Sequence, residues 1–472
     1  MPTISNGVTQ FVTVPTGRVL NIRTGQTASV VVRTYPDSQG LQATETRSLA
    51  PNQVQNFGPY ASTSRFALEV SGGVATYEIG DAGLTAPQPG LGVVATGCVV
   101  PSNSNTTNRQ IMTRSTHIAI QHITELQTAW ANWYVSANNT GELTAAGTLT
   151  LTASVEYPLG TIAGTFKWDA SSTVSISARA TSLTDKLSGL NIPAGALFAI
   201  RSYAVGTLGI VFSGEGGSNA YSCATFDVTG VADATQVGGA VTDTQAGIGY
   251  RPVAILGATT RPTIAIAGTS RPLGLNDTAL GIYGGRGIFE RAVSKRFGYI
   301  RMAASGERLQ TILVASGATN YARRKELIDA YCTHILSDYG INDLNGGART
   351  AAEVTADLRT AVTLFGKPWI HATLSPIATS SNSFIDAAGQ TTNATVNPKR
   401  ITFNASLRNG EGGISGCLEL ADGVESARDS GKWKSDGSTP NLWTSDGTHE
   451  SQYANLQLAA ATDIWQPLNL LR

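Results

Sequence analysis

Charge is scarce in this chain. Of its 472 residues only 14% are Asp, Glu, Lys or Arg, against roughly a quarter in an average globular protein. The 33 basic residues offset 33 acidic ones, giving a formal net charge of zero, and only 8 of the basic ones are lysine. With neither sign in excess there is no overall electrostatic attraction to nucleic acid or to an anionic membrane, and no lysine-rich tail to supply a local one. Cysteine is rarer still. Cys98, Cys223, Cys332 and Cys417 lie far apart and form no CxxC pair, which argues against a zinc site and a disulfide-dense scaffold; buried free thiols are the favoured reading and one long-range disulfide the alternative. No apolar run approaches the ~18 residues of a membrane span. The opening Met1-Pro2-Thr3-Ile4-Ser5-Asn6 has neither the basic nor the apolar segment of a secretory signal, so a protein made and assembled in a cytoplasm is expected.

What is present is apolar sequence, at 41%, and glycine, at 51 residues. That much apolar sequence can fill several cores, and the length suggests two to four domains. Residues 1–85 alternate with period two through Val8–Val14, Val19–Arg23, Ala28–Arg33, Phe66–Val70 and Ala75–Ile79. This β-branched alternation, with no helical period, predicts a small all-β sandwich. A Pro- and Gly-rich stretch marks residues 86–97 as a linker. Residues 98–245 continue in β style through Thr148–Val155, Thr161–Trp168 and Leu197–Tyr203, predicting a second all-β sandwich, either a spacer or a carbohydrate-binding module. Trp130, Trp133 and Tyr134 are candidates for a sugar-binding face or, more commonly for such residues, for its core.

The pattern changes over residues 246–472. Apolar strand candidates at Thr263–Ala267, Tyr299–Met302, Thr333–Leu336 and Pro368–Leu374 alternate with helical patterns at Tyr321–Tyr331, Ala351–Phe365 and Ser451–Trp465. Such alternation predicts an α/β domain of three layers, a parallel sheet between helices. Ligands of these sheets sit at the carboxyl ends of strands, so chemistry is sought there.

Four segments stand out. Gly268-Thr269-Ser270 follows the first strand and presents a serine hydroxyl on a tight turn. Ala304-Ser305-Gly306 follows the next strand, where a glycine N–H can meet a developing oxyanion, and Gly340-Ile341-Asn342-Asp343 offers an amide for the same purpose. Asp446-Gly447-Thr448-His449 spaces a carboxylate to fix an imidazole, which could then take the proton of Ser270. Beside them, Arg271 is a candidate contact for an anionic sugar, and His371 and Trp443 are candidates to line the pocket. Core packing is an equal or better account of the last two. Asn276-Asp277 also reads Asn-Asp but follows no strand, which predicts a turn. His117, His122 and His334 make no metal-ligand set.

Ser270, Gly306, Asn342 and His449, in that order and with Asp446 in the DxxH of the last block, resemble the four blocks of the SGNH hydrolases, also called GDSL esterases. The resemblance covers residues 248 to 472. It implies acyl transfer, with Ser270 as nucleophile, His449 as base and then acid, Asp446 as its orienting group, and an oxyanion hole of the Ser270 and Gly306 N–H groups and the Asn342 amide. No metal or cofactor is implied. One departure stands out: the first block of the family usually reads Gly-Asp-Ser, and here Thr269 takes the place of that Asp.

The N-terminal segments Val12–Arg23, Asn56–Tyr60 and Val70–Tyr77 resemble small β domains that begin tailed-phage virion proteins. Arg114–His117 through Tyr134 resembles the start of β-sandwiches that precede SGNH domains in phage and bacterial proteins. Together these imply a virion appendage, a tail fibre or tailspike, that de-O-acetylates host surface polysaccharide. Other virion proteins would be its partners, a homotrimer its assembly, and the virion its location. The alternatives are a glycan-binding or structural virion protein without turnover, for which Thr269 speaks, and a bacterial carbohydrate esterase.

Overall fold

The computed structural model describes residues 3–14, 18–25, 27–35, 45–50, 54–57, 64–81, 90–137, 141–214, 223–238, 240–242, 244, 248–278, 285–294, 296–313, 321–461 and 465–469. Contacts divide the chain into two units, residues 1–88 and 89–472.

In the first unit the period-two alternation becomes eight short strands in two four-stranded antiparallel sheets. Leu20 and Ile22 of one sheet and Val12, Val14, Val30, Val32, Phe66 and Leu68 of the other are almost fully buried in a single cluster. Each such side chain contributes about 1.5–3 kcal/mol relative to exposure, so one alternating pattern fixes both the strand faces and the sandwich.

The second unit begins sooner than the sequence suggests. Residues 86–89 lie outside the described residues, but Gly90–Val93, assigned above to a linker, is a strand paired with Ala254–Thr259. Val93, Val94 and Ala95 are buried in the apolar cluster of this unit; the Gly and Pro nearby masked a short apolar strand. The boundary at 245/246 also falls inside a β region: Ile248–Gly249 pairs with Ile210–Gly214, and Ala254–Thr259 pairs with Ile123–Ala131. The larger sheet of this region carries Gln110–Ile118, Leu149–Glu156 and Leu197–Gly206. Trp130 and Trp133 are buried in its apolar cluster rather than displayed for a sugar.

A six-stranded parallel sheet follows. Its strands are β1 (Cys98–Val99), β2 (Thr263–Ile266), β3 (Gly298–Arg301), β4 (His334–Ser337), β5 (Trp369–Ala372) and β6 (Gly416–Leu418). They lie in the spatial order β1-β3-β2-β4-β5-β6, every pair parallel. Successive residues of a strand point to opposite faces, and both faces are apolar here. Ile264, Ile266, Tyr299, Leu336 and Ile370 pack with helices α1 (Gly287–Val293) and α5 (Gln452–Ala460). Ala265, Ile300, Ile335 and Trp369 pack with α2 (Ala322–Tyr331), α3 (Ala351–Phe365) and α4 (Asn397–Arg408). The three-layer α/β arrangement expected for this part is therefore present, with an edge strand, β1, contributed from the β region. From β2 the chain crosses to β3 on one side and then to β4 on the other. The strand order reverses at β2, which opens a crevice beyond its carboxyl end.

Candidate active site

The segments that leave the carboxyl ends of β2, β3 and β4 carry Ser270, Gly306 and Asn342, the last in the short helix Ile341–Asn345. The turn after β2 needs glycine at 268: its φ is +140°, and a Cβ there would lie 2.1 Å from an Asp338 carboxylate oxygen. Ser270 keeps 9% of its surface open, and its Oγ lies 2.8 Å from His449 Nε2. His449 Nδ1 lies 2.7 Å from Asp446 Oδ2. An ionised carboxylate only accepts, so the ring proton sits on Nδ1 and Nε2 is left as the acceptor for the serine O–H. The structure thus joins Ser270, His449 and Asp446 in one hydrogen-bonded line.

The short segment that presents the acid and the imidazole depends on Gly447. Its φ is +72°, and a Cβ there would meet the Ala378 carbonyl oxygen at 1.7 Å. With the turn closed, the backbone N–H groups of Thr448 and His449 both donate to Asp446 Oδ1 at 2.8 Å. Partial burial raises the Asp446 pKa, but the His449 ring and these N–H groups outweigh it and hold the carboxyl well below the usual range. It stays ionised and so remains an acceptor.

Asn342 donates its side-chain N–H to the Glu307 carbonyl at 3.1 Å. An amide nitrogen carries two hydrogens, so one further donor remains. The neighbouring Asp343 accepts from Leu309 N at 3.1 Å and Gln310 N at 3.2 Å. Burial pushes this carboxyl up to about 6 in spite of those N–H groups. Asn342 and Asp343 together fasten the loop that carries Gly306.

Two expected contacts are corrected, those of Arg271 and His371. Arg271 is buried rather than poised for an anionic sugar. Its guanidinium donates to the Thr448 carbonyl at 2.8 and 3.2 Å and to the Ser375 carbonyl at 3.3 Å, with Glu450 3.6 Å away. It braces the residue before His449. His371 has no exposed surface. Its Nδ1 donates to the Ala372 carbonyl at 2.8 Å and its ring meets the edge of Phe403, and burial pushes its pKa down to about 4. It belongs to the core. Trp443 is partly buried, edge-on to Tyr453 at 5.3 Å with Lys434 5.4 Å over its ring. Its ring packs against Tyr453 of α5, Lys434 and the apolar cluster on that side of the sheet. Among the described residues no His, Cys, Asp and Glu side chains cluster as metal ligands.

Two residues escaped the sequence reading. Asn276, expected in a turn, donates its amide to Asp446 Oδ2 at 2.9 Å, the same oxygen that His449 engages. Asp338, at the end of β4, accepts from Thr269 N at 2.9 Å and from Thr269 Oγ1 at 2.8 Å. The carboxylate missing at 269 is thus supplied from the adjacent strand. Its position two residues before Gly340, at a strand end, was the available signal.

No protein-family model matches the sequence, and no match is found among curated proteins. Solved structures do match in part. A family two carbohydrate esterase from Clostridium thermocellum, in complex with cellohexaose, is 12% identical, covering 79% of this chain and 94% of its own, with a TM-score of 0.31. A carbohydrate esterase of family 3 from Talaromyces cellulolyticus is 12% identical over 42% of this chain and 92% of its own, with a TM-score of 0.26. A protein from Slackia heliotrinireducens classed among the SGNH hydrolases is 15% identical over 42% of this chain and 96% of its own, with a TM-score of 0.30. These similarities are too low to carry a function across.

Proposed function

We propose that this chain is a serine esterase of the SGNH type that removes O-acyl groups from carbohydrate. The observation that carries the reading is the line Ser270 Oγ, His449 Nε2, His449 Nδ1, Asp446 Oδ2, with its links of 2.8 and 2.7 Å, placed at a strand-order reversal. His449 takes the serine proton as Oγ attacks an ester carbonyl, and returns it to the leaving alkoxide; water then releases the acyl group by the same route. The developing oxyanion would be met by the Ser270 and Gly306 N–H groups and the Asn342 amide, each such donor being worth about 10²–10³ in rate.

Thr269 favoured a binding protein without turnover, but its hydrogen bonds to Asp338 keep the nucleophile turn supported, which favours the enzyme. We extend the proposal to a phage appendage acting on O-acetylated host polysaccharide, with the eight-stranded N-terminal sandwich as attachment module. The test is acetate release from an acetylated bacterial polysaccharide. Wild type should release acetate and Ser270→Ala should lose about 10³-fold or more in kcat/KM. Equal release by the two proteins would refute the reading.

A further inference from the structure

Glu142 belongs to the β region, in the short strand Glu142–Leu143, and is 2% exposed. Its two oxygens accept from Arg323 N and Arg324 N, each at 2.9 Å. These N–H groups belong to the first turn of α2, where backbone donors have no partner inside the helix and the dipole favours a negative charge. Arg324 Nε lies 3.3 Å from the same carboxylate. The Arg324 guanidinium is fully buried over the Tyr321 ring, 3.7 Å from its centroid. From there its two terminal nitrogens reach both oxygens of Glu307, at 2.9 and 2.7 Å. Tyr339 O–H donates to Glu307 at 2.7 Å as well.

Glu307 directly follows Gly306, and its carbonyl is the acceptor for Asn342. Both of the loop groups expected to meet an oxyanion are therefore tied to one residue, and that residue is held through Arg324 by Glu142. Charges in such a place are a poor device for stability, since an apolar replacement of similar volume is often neutral or better. What a fully satisfied buried network supplies is one fixed geometry.

We propose that Glu142 is a positioning residue for the oxyanion donors, acting through Arg324 and Glu307; the β region is thus part of the catalytic apparatus. This rests on the serine-esterase reading above. The test uses the full chain and two variants, Glu142→Gln, which keeps the volume, and Glu142→Asp, which keeps the charge but withdraws it by one methylene. Two rates are measured: hydrolysis of p-nitrophenyl acetate, and labelling of Ser270 by a fluorophosphonate, whose phosphoryl oxygen needs the same donors. In both variants kcat and the labelling rate should fall about tenfold, a fraction of the roughly 10²–10³ lost with a whole oxyanion donor, while KM stays within about twofold. A lowered melting temperature with unchanged kcat and labelling in either folded variant would overturn the proposal and leave the esterase reading standing. A wild type that neither hydrolyses nor labels would overturn both.

Discussion

Asn276 completes the set of donors around Asp446. Oδ1 takes two backbone N–H groups, and Oδ2 takes the Asn276 amide together with the His449 ring. A carboxylate so held cannot rotate away from the imidazole, and its orientation is what fixes the ring tautomer. On the serine-esterase reading proposed above, Asn276→Ala is expected to lower kcat about tenfold with little change in KM, and Asn276→Asp to lower it further by placing a second negative charge beside Asp446. Steady-state kinetics on a soluble acetyl ester check this; an unchanged kcat in Asn276→Ala counts against the role. The hydrogen-bonded line of Ser270, His449 and Asp446 was legible in the sequence because Ser270 follows an apolar strand and Asp446 and His449 are three apart on one turn. Asn276 was not, because its partner lies far along the chain and its own backbone sits in the left-handed region, at φ +67°. Arg271 was misplaced for a related reason: nothing near it in sequence foretells the Thr448 carbonyl that it serves.

At the scale of elements, the turn after β2 joins two strands through one side chain. Thr269 and Asp338 are both buried, and burial pushes the Asp338 carboxyl up to about 6 against the pull of Arg271 and the two Thr269 hydrogen bonds. A raised folded-state value means that the folded protein holds this proton longer than the unfolded chain does, so the associated stability is full at acid pH and is lost as pH rises through about 6. The Thr269 hydroxyl supports the ionised form. Thr269→Val should therefore cost about 1–3 kcal/mol, with the larger loss at pH 8 than at pH 5. Denaturant melts at the two pH values check it; equal losses, or a larger one at pH 5, would contradict it. Elements with a strong period were readable. Helix α3 shows its apolar stripe, and Thr350 and Glu353 close a reciprocal cap at its start, with Gly366 left-handed at its end. Strands β1 and β6 have two and three residues, too few for any period to register. Helix α4 opens on Asn397-Pro398 with few apolar positions, so its sequence carries no strong helical period.

For the molecule as a whole, the apparent joint at residue 246 is not a joint. One apolar cluster runs from Trp130, Leu149 and Phe198 of the β region into Ala265, Ile300, Trp369 and Phe403 around the parallel sheet. Composition changes at that point because the secondary structure changes, and a change of period need not be a change of core. A fragment of residues 246–472 lacks β1 and half of that cluster and is expected to be insoluble or to melt without cooperativity. A fragment of residues 89–472, cut where the contacts themselves divide, should melt in one cooperative transition. Circular dichroism melts of the two decide the matter, and a cooperative transition in the shorter fragment would show the joint to be real after all.

The strand pairing Cys98–Ile300 also governs how the protein is made. Its two partners leave the ribosome some 200 residues apart, an interval of about 10–40 s at ordinary elongation rates. Until then the edge of the parallel sheet has nothing to close on, and the apolar side chains destined for the shared core are open to other nascent chains. The hazard of this topology lies in that interval of synthesis, when the second unit is most exposed to aggregation, rather than in any weakness of the finished fold.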